Sequence, residues 1–369
     1  MIPISKPQIG AEEKAAVMAV MDSGIIASGP VTEAFEREFA AFTGARHAFA
    51  VANGTAALHC AFLGVGLKPG DEVITTPFTF VASVNSILFA GGVPKLVDVD
   101  PVTFNLDPRL LAKAVGPKTK AILPVHLYGL AADMDPILEV AREHGLPVVE
   151  DAAQSHGAVY KGRQVGTLGD AGCFSMYPTK NMAMNEGGMV TTNRDDVADL
   201  VKSIRNHGRG LATLGTYDHV RAGHNFRSND IAAAIGRVQL KRLPEFNRIR
   251  RANAQRHTEA LAGHPDLVAP TVPAGREHVW HQYTVRSRSR DAFVAHMKAN
   301  GVGTGIYYPK VVTEYPHLAS YKGSFPVSER LVKEVASLPV HPGLAESDLA
   351  TIGKALKAWA PKERASSTA

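Results

Sequence analysis

The stretch Ala171–Asn181, which reads AGCFSMYPTKN, decides the fold and the chemistry of this 369-residue chain. Small, apolar and aromatic residues run up to Ser175, and a single lysine, Lys180, follows a proline and a threonine. A second strand-like run, Met189–Thr192, comes shortly afterwards. Burying an ammonium group without a partner is costly, so a lysine between two buried strands needs a chemical reason. One reason is an imine to an aldehyde cofactor, and the alternative is an exposed lysine at a loop tip.

The composition is ordinary for a soluble globular protein, with 45% apolar and 20% charged residues. No apolar run is long enough to cross a bilayer and the N-terminus lacks a signal peptide, so we expect no membrane partner and a cytoplasmic location. A formal charge of +5 without basic runs gives nucleic-acid binding little support. The two isolated cysteines, Cys60 and Cys173, predict small buried side chains and neither a disulfide nor a metal site.

From about residue 47 the chain alternates strand-like and helical segments. This alternation predicts an α/β fold with a mostly parallel central sheet and helices on both faces. In such sheets ligands bind beyond the carboxyl ends of the strands. The predicted strands are Ala48–Val51, Glu72–Thr75, Val93–Val97, Ala121–Val125 and Pro147–Glu150, and the helices between them are Thr55–Val65, Val81–Phe89, Asp107–Ala114 and Asp135–His144.

The two ends of the chain carry further helical patterns. At the N-terminus the loop Ser23–Pro30 separates two helices, Glu12–Met21 and Val31–Phe42, and is either a connector or a flap near a site. We predict a large cofactor-binding domain over residues 1–245 and a smaller C-terminal α/β domain over residues 246–369. The remaining predictions are a helical region at Asn229–Leu261, a strand at Tyr283–Arg286, helices near Asp291–Ala299, Val327–Ala336 and Glu346–Trp359, and a frayed tail from Pro361 to Ala369.

Polar residues at the predicted strand ends could bind a phosphate and a planar ring. Gly54 and Thr55 open a helix after a strand, where free N–H groups favour a phosphate, although an ordinary helix cap is the alternative. Phe80 could stack on a ring or pack in the core. Ser175 offers a hydroxyl close to Lys180.

Asp151 follows the apolar run Pro147–Val149 and could pair with a protonated pyridine nitrogen. Gln154 could donate to the phenolic oxygen of the same ring, whereas the alternative for Asp151 is a helix cap. A polar loop, Gly223–Asp230, precedes a long helix and could also be only a cap. Each of these motifs alone is weak evidence for a binding site. Their order along the chain predicts a site for pyridoxal phosphate (PLP) with Lys180 as the Schiff-base lysine.

With these residues assembled, the chain resembles the DegT/DnrJ/StrS family of PLP-dependent sugar aminotransferases over nearly its whole length. The resemblance implies the aspartate aminotransferase-like fold (PLP-dependent transferase fold type I) and a homodimer with two shared active sites. The motifs that carry it are SKPQIGAEE, SGP, NGTAALH, GDEVITTPFTFVAS, PVHLYGLAADMD, VVEDAAQSHGA, GDAGCFSMYPTKN, EGGMVTTN, RNHG, GHNFRSNDIAAAIGRVQL and SLPVHPGL.

The resemblance implies a role for each matching residue. Lys180 corresponds to the Schiff-base lysine and Asp151 to the pyridine partner, so these two are the implied catalytic residues. Asn225 corresponds to an asparagine that reaches the phosphate from the neighbouring subunit. The other implied cofactor contacts are Gln154 at the phenolic oxygen, Phe80 as the stacking ring, and Gly54, Thr55, Ala56 and Ser175 at the phosphate.

The implied reaction moves an amino group, with glutamate as the expected donor, to a keto group of a nucleotide-linked sugar and yields an amino sugar. Lys180 would both anchor the cofactor and carry the proton. The chain departs from the family near the substrate, where Tyr307 replaces a histidine and NYRM becomes NFRS. Arg227 and Tyr307 are the predicted substrate contacts, and the identity of the sugar is left open.

Several alternatives stay open at this point. A related branch of the same family has histidine in place of the lysine and removes a hydroxyl from a keto sugar, and Lys180 argues against this alternative. A PLP lyase or desulfurase, a keto-cyclitol aminotransferase and a non-catalytic regulator share the fold. Cys60 and Cys173 are poor desulfurase nucleophiles because nothing nearby would lower their pKa. A nicotinamide enzyme has little support, because the glycine-rich stretch Gly301–Gly305 lies late in the chain without a strand–turn–helix context.

Overall fold

The structure, a computed structural model, describes residues 1–210 and 217–361. Within these ranges the strands are β1 (His47–Val51), β2 (Glu72–Thr75), β3 (Val93–Leu96), β4 (Thr119–Ile122), β5 (Val149–Asp151), β6 (Val159–Tyr160), β7 (Arg163–Gln164), β8 (Ala171–Ser175), β9 (Gly188–Thr192), β10 (Arg276–Glu277), β11 (Tyr283–Arg286) and β12 (Val335–Leu338). The helices are α1 (Ala11–Ser23), α2 (Pro30–Thr43), α3 (Gly54–Gly64), α4 (Val81–Phe89), α5 (Pro108–Ala114), α6 (Met134–His144), α7 (Asp195–Ile204), α8 (Asp230–Ala260), α9 (Arg290–Ala299), α10 (Pro326–Glu334) and α11 (Glu346–Ala358).

The main sheet consists of two groups of strands. Strands β3-β2-β4 pair in parallel, and β1-β9-β8-β5 pair in that order. Parallel bridges at Ile122–Val148 and Val125–Asp151 join the two groups between β4 and β5. Only β9 runs against its neighbours, β1 and β8, so the sheet is mostly parallel. The predicted α/β fold is therefore confirmed, and the predicted strand bounds differ from the observed ones by a few residues at most.

Both faces of this sheet are buried under helices. Successive strand residues belong to two different apolar clusters: Ile74, Ile122 and Phe174 to one, and Val73, Ala121 and Cys173 to the other. This alternation follows from the two-residue period of a strand. A sheet covered on both faces reads as continuous apolar runs rather than as alternating ones, which is the pattern in this sequence.

The C-terminal part of the chain has its own apolar cluster. Tyr283, Phe293 and Trp359 pack in it, and Ile2 from the N-terminus packs against it. The predicted helix Val327–Ala336 is partly wrong, because α10 ends at Glu334 and the next residues form β12, which pairs antiparallel with β11. Helix α8 runs through residues 245 and 246 without a break, so the predicted domain division stays a prediction. The predicted frayed tail lies outside the described residues after Pro361.

Asp230, the first residue of α8, holds the start of α2. Its buried carboxylate accepts hydrogen bonds from the N–H groups of Gly29, Val31 and Thr32 and from the Thr32 hydroxyl, at 2.6–3.1 Å. A helix start leaves N–H groups without intrahelical partners and favours negative charge, so this carboxylate is a tertiary cap. None of the helices in the described ranges combines the length and hydropathy that a bilayer span requires.

Asp230→Ala should lower the free energy of unfolding by ~2–3 kcal/mol, because the helix start loses a charged acceptor. Urea denaturation followed by circular dichroism measures the change. Asp199→Ala, at an exposed position of α7, is the matched control and should be near neutral. Equal stability of the two variants would show that Asp230 does not stabilise the start of α2.

Candidate active site

A cavity of about 510 Å³ opens where the strands β5 and β8 end and α3 begins. Of the eleven residues predicted for the site, eight line this cavity, and Ala56, Asn225 and Arg227 do not. The eight are Gly54, Thr55, Phe80, Asp151, Gln154, Ser175, Lys180 and Tyr307. The position agrees with the rule that parallel sheets bind ligands beyond the carboxyl ends of their strands.

Lys180 lies in the loop between β8 and β9, and its backbone N–H donates to the carbonyl of Tyr177 at 2.8 Å. Burial lowers the pKa of its amine to about 8, although the negative charge of Asp151 acts in the opposite direction. Within the described ranges no side chain accepts a hydrogen bond from this amine. With this lowered pKa the amine has a much larger neutral fraction near neutral pH than a solvated lysine has, and a neutral amine can act as a nucleophile or a base.

Asp151 ends β5 and is 5% exposed. Its Oδ2 accepts from the Ser83 hydroxyl at 2.7 Å, and its Oδ1 accepts from the N–H of Ala153 at 3.1 Å. Burial raises the pKa of the carboxyl, and these two hydrogen bonds oppose that rise. A cationic group in the cavity would stabilise the carboxylate further, as a protonated ring nitrogen would.

Ser83 is a site residue that the sequence did not indicate. Because its single proton goes to Asp151, the hydroxyl of Thr79, 2.9 Å from Ser83 Oγ, must donate to it in turn. Both side chains are buried. These two hydrogen bonds, from Thr79 to Ser83 and from Ser83 to Asp151, hold the Asp151 carboxylate in place from the side of α4. Ser83 lies three residues after Phe80, and only its position behind the TTPFTF motif could have drawn attention to it.

The start of α3 supplies donors for a phosphate. Asn53 Oδ1 caps the helix by accepting from the N–H of Ala56 at 2.9 Å. The first two residues of the helix, Gly54 and Thr55, line the cavity, and amides at these positions have no intrahelical acceptor. Ala56 is buried and its N–H already donates to Asn53 Oδ1, and the phosphate contacts predicted for Gly54, Thr55 and Ala56 stay predictions. The Ser175 hydroxyl lies beside them.

Glycine is required where α3 meets β8. A Cβ on Gly54 would stand 2.7 Å from Cβ of Ser175, closer than packed carbon atoms come. Two amides, a hydroxyl and the positive end of a helix thus converge within one small space. This donor set fits a phosphate dianion, which is the group that holds PLP to its protein.

An aromatic and amide wall closes another side of the cavity. The Phe80 ring is 54% exposed, and its centroid lies 5.9 Å from that of Tyr308. Gln154 Nε2 donates to the Tyr308 hydroxyl at 2.9 Å, while its Oε1 accepts from the N–H of Tyr128 at 2.7 Å. Gln154 keeps one amide hydrogen free of these bonds. Tyr308 also lines the cavity, and no pattern in the sequence distinguishes it from Tyr307.

His281 is a further lining residue that the sequence did not indicate. Its side chain is 6% exposed, and Nδ1 has no hydrogen-bond partner among the described residues. Burial holds the pKa of the ring well below its ordinary value, so the ring is neutral. It lies 101 positions after Lys180 in the sequence, and only the fold brings the two residues to one cavity.

The other predicted residues lie outside this cavity. Asn225 is exposed, and its backbone forms an antiparallel bridge with Asn206. Arg227 lines a second cavity, and its Nη1 donates to Asn206 Oδ1 at 2.7 Å. The structure therefore separates these two residues from Lys180 of the same chain.

The cysteines are buried, as predicted from the sequence. Burial raises the pKa of Cys60 to about 12 and that of Cys173 well above its ordinary value, so neither thiol is a ready nucleophile. In the part of the chain that the structure describes, no cluster of three potential metal ligands occurs.

The chain is similar to known proteins over nearly its whole length. A family model described as the DegT/DnrJ/EryC1/StrS aminotransferase family matches residues 7–357. A relative named pleiotropic regulatory protein, from Geobacillus stearothermophilus, is 43% identical over 343 residues, covering 90% of this chain and 91% of its own. Another, the dTDP-3-amino-3,4,6-trideoxy-alpha-D-glucose transaminase of Streptomyces venezuelae, is 39% identical and covers 96% and 94%.

Solved structures are similar over nearly the whole chain. DesV from S. venezuelae, in complex with a ketimine intermediate, superposes with a TM-score of 0.91 at 39% identity and covers 94% of both chains. The PLP-form of a candidate sugar aminotransferase from Streptococcus pneumoniae superposes with a TM-score of 0.90 at 26% identity and covers 96% and 97%. The predicted transferase fold type I is thereby confirmed.

Because burial disfavours its charged form, Lys180 of the cofactor-free protein should react with an amine-selective acylating reagent with a midpoint near pH 8. A solvated lysine would show a midpoint near ~10.4. Peptide mass spectrometry across a pH series measures the modification. Asp151→Asn removes the opposing charge and should lower the midpoint further. A midpoint near 10 in the unmodified sequence would contradict the burial argument.

Proposed function

Because the chain belongs to the DegT/DnrJ/EryC1/StrS aminotransferase family, we propose that it is a PLP-dependent transaminase that acts on a nucleotide-linked keto sugar. Glutamate is the proposed amino donor, and an amino sugar is the product. The observation that carries this proposal is the Lys180 amine, which has no hydrogen-bond acceptor among the described side chains and shares one cavity with the Asp151 carboxylate and the start of α3. The residues present therefore fit the cofactor at both of its ends.

Each residue has a proposed task in holding the cofactor. The amides of Gly54 and Thr55 and the Ser175 hydroxyl would hold its phosphate, and Phe80 would cover a face of its ring. Asp151 would keep a proton on the ring nitrogen, because a carboxylate held by Ser83 favours a cation beside it. When bound, PLP supplies an aldehyde carbon that accepts amines and a cationic ring that accepts an electron pair.

Lys180 would act as the acid and base of the reaction. Its amine, with a pKa of about 8, can accept the proton from the α-carbon of the donor and return a proton to the carbon that becomes aminated. A pKa close to the working pH allows one group to serve in both directions. The His281 ring stays neutral and adds no positive charge near this amine.

The exposed position of Asn225 supports a homodimer with shared sites. Its side chain does not line the cavity of its own chain, as expected for an asparagine that reaches the phosphate in the neighbouring subunit. Tyr307 lines the cavity and is the proposed contact for the sugar. The identity of that sugar and of its nucleotide is left to experiment.

A regulatory role is the second candidate, because a relative with 43% identity is named as a regulatory protein. The lysine, the carboxylate and the phosphate cradle together favour the enzyme. Turnover of glutamate separates the two candidates, since a regulator that only binds the cofactor would not release 2-oxoglutarate.

The purified protein should take up PLP, and borohydride reduction followed by peptide mapping should place the label on Lys180. With glutamate and a panel of dTDP-, GDP- and UDP-linked keto sugars and keto-cyclitols, it should release 2-oxoglutarate and an aminated product. Lys180→Ala should lose turnover by ~10²–10⁴-fold or more, because the acid–base group is gone. Lys298→Ala, on the exposed face of α9, is the matched control and should retain full turnover. A label on another lysine would exclude this assignment.

Asp151→Asn should retain the cofactor, because the phosphate cradle is untouched, and should lower turnover by ~100-fold or more, because the negative charge at the ring nitrogen is lost. Absorbance spectra test cofactor retention, and 2-oxoglutarate release tests turnover. Asp199→Asn removes an equal charge from the surface of α7. Turnover of Asp151→Asn equal to that of this control would refute the proposed role.

A further inference from the structure

His281 lines the cavity that holds Lys180, and the proposed reaction gives its ring no binding task. The side chain is 6% exposed, and Nδ1 has no hydrogen-bond partner among the described residues. A neutral imidazole carries one N–H donor and one acceptor nitrogen. Buried polar groups are nearly always hydrogen-bonded, so this ring is suited to a partner that enters the cavity as a ligand.

The segment that carries His281 is fixed to the loop of Lys180. Asn181, the residue after Lys180, donates from Nδ2 to the Val279 carbonyl at 2.8 Å. The N–H of Val279 donates in turn to the Gly129 carbonyl at 3.0 Å. These bonds give the His281 ring a set position on the same cavity wall as the reactive amine.

Arg250 of α8 lies behind this wall with a buried charge. It is 4% exposed, and its Nη1 donates to the backbone carbonyls of Trp280 at 3.2 Å and His281 at 3.5 Å. Its Nε has no hydrogen-bond partner in the described ranges. Burial lowers the pKa of the guanidinium to about 9, which leaves it charged near neutral pH. A buried charge without an opposite charge is costly, and an anionic ligand nearby would reduce that cost.

The space around Arg250 decides how it can act on a ligand. Arg250 does not line the large cavity, and it shares with Lys180 only a separate cavity of about 10 Å³. That volume has room for about one water molecule and not for a carboxylate. Arg250 therefore acts on a ligand through its charge, which is felt more strongly in a buried region than in water.

The surroundings of the His281 ring favour an anion. Burial lowers the pKa of the ring, and four basic groups lower it further: Lys180, Arg250, His156 and His278. Two carboxylates, those of Asp151 and Glu186, also line the cavity. An anionic group of a ligand is repelled by these two acids and is favoured beside His281.

We propose that His281 binds a carboxylate of the amino donor, with Arg250 as the positioning residue whose charge stabilises that carboxylate. The ring donates its N–H to a carboxylate oxygen, a hydrogen bond that is stronger than one between two neutral groups. The inference rests on the proposed function, which supplies a donor with this chemistry. It assigns recognition of the donor to residues other than those that hold the cofactor and move the proton.

The test titrates the PLP-loaded protein calorimetrically with glutarate, which has both carboxylates of glutamate and no amino group. His281→Leu should weaken glutarate binding by about tenfold or more, because a hydrogen bond to a charged group is lost. His281→Gln keeps an N–H donor and should bind glutarate more tightly than His281→Leu. Glutaramide, which is uncharged, should not distinguish these variants. His144→Leu, at the exposed end of α6, is the matched control.

Arg250→Gln should weaken glutarate binding by about threefold or more, because the charge behind the wall is removed. Arg250→Lys keeps that charge and should retain the affinity. Arg251→Gln is the matched control, since Arg251 is the next residue of α8 and pairs with Glu277 at the surface. Thermal unfolding of each variant checks that the fold persists, and if Arg250→Gln does not fold, the two His281 variants still decide the result.

Turnover separates donor recognition from a merely structural role. His281→Leu should raise the KM for glutamate more than it lowers kcat, and should leave kcat/KM for the keto sugar unchanged, since the sugar brings no carboxylate to His281. Glutarate affinity equal to that of His144→Leu would overturn the inference, as would a parallel loss of kcat/KM for both substrates. Release of 2-oxoglutarate by the unmodified protein together with either result refutes only the role of His281, whereas no turnover with any amino donor refutes the proposed function.

Discussion

The buried carboxylate of Glu150 is the interaction on which the geometry of the active site depends. It accepts hydrogen bonds from the N–H groups of Gly166, Leu168 and Gly169 at 2.7–2.8 Å and from His126 Nε2 at 2.9 Å. His126 Nδ1 accepts from the N–H of Ala132, so the ring is a neutral donor to Glu150. A fully buried charge is tolerated only when donors surround it, and here four donors do. The residue that follows Glu150 is Asp151, whose position is thereby fixed.

Close backbone approach is the second constraint, and it explains why glycine occurs at the junction of β9 and α3. A Cβ on Gly188 would stand 2.3 Å from the Asn53 carbonyl oxygen, and one on Gly54 would collide with Ser175. These contacts bring the end of β1 against the pair β8–β9. The start of α3 and the Lys180 loop therefore come from segments more than 100 residues apart, yet they meet at one sheet edge.

Much of this arrangement could be predicted because it is local. Strand and helix bounds follow from short apolar runs, and the proposed cofactor residues stand at strand ends, where a parallel sheet places its ligands. The misassigned end of Val327–Ala336 shows where prediction from local patterns fails. Helix α10 passes directly into strand β12, and a short apolar run does not distinguish a helix from a strand. Ser83 and His281 were missed because their roles depend on partners that only the fold brings near. Arg227 was predicted to contact substrate, but the sequence could not show that it lines a different cavity from Tyr307.

The two buried charges of the active site also explain why the cavity suits its proposed cofactor. Burial raises the pKa of Asp151 and lowers that of Lys180, so each group resists ionisation although the two carry opposite charge. The attraction between the two charges opposes the effect of burial on both pKa values but does not cancel it. A ligand with a cationic nitrogen for the carboxylate and a carbonyl carbon for the amine would relieve both penalties at once. A phosphate on the same ligand would use the free amides of α3, and pyridoxal phosphate combines these three groups.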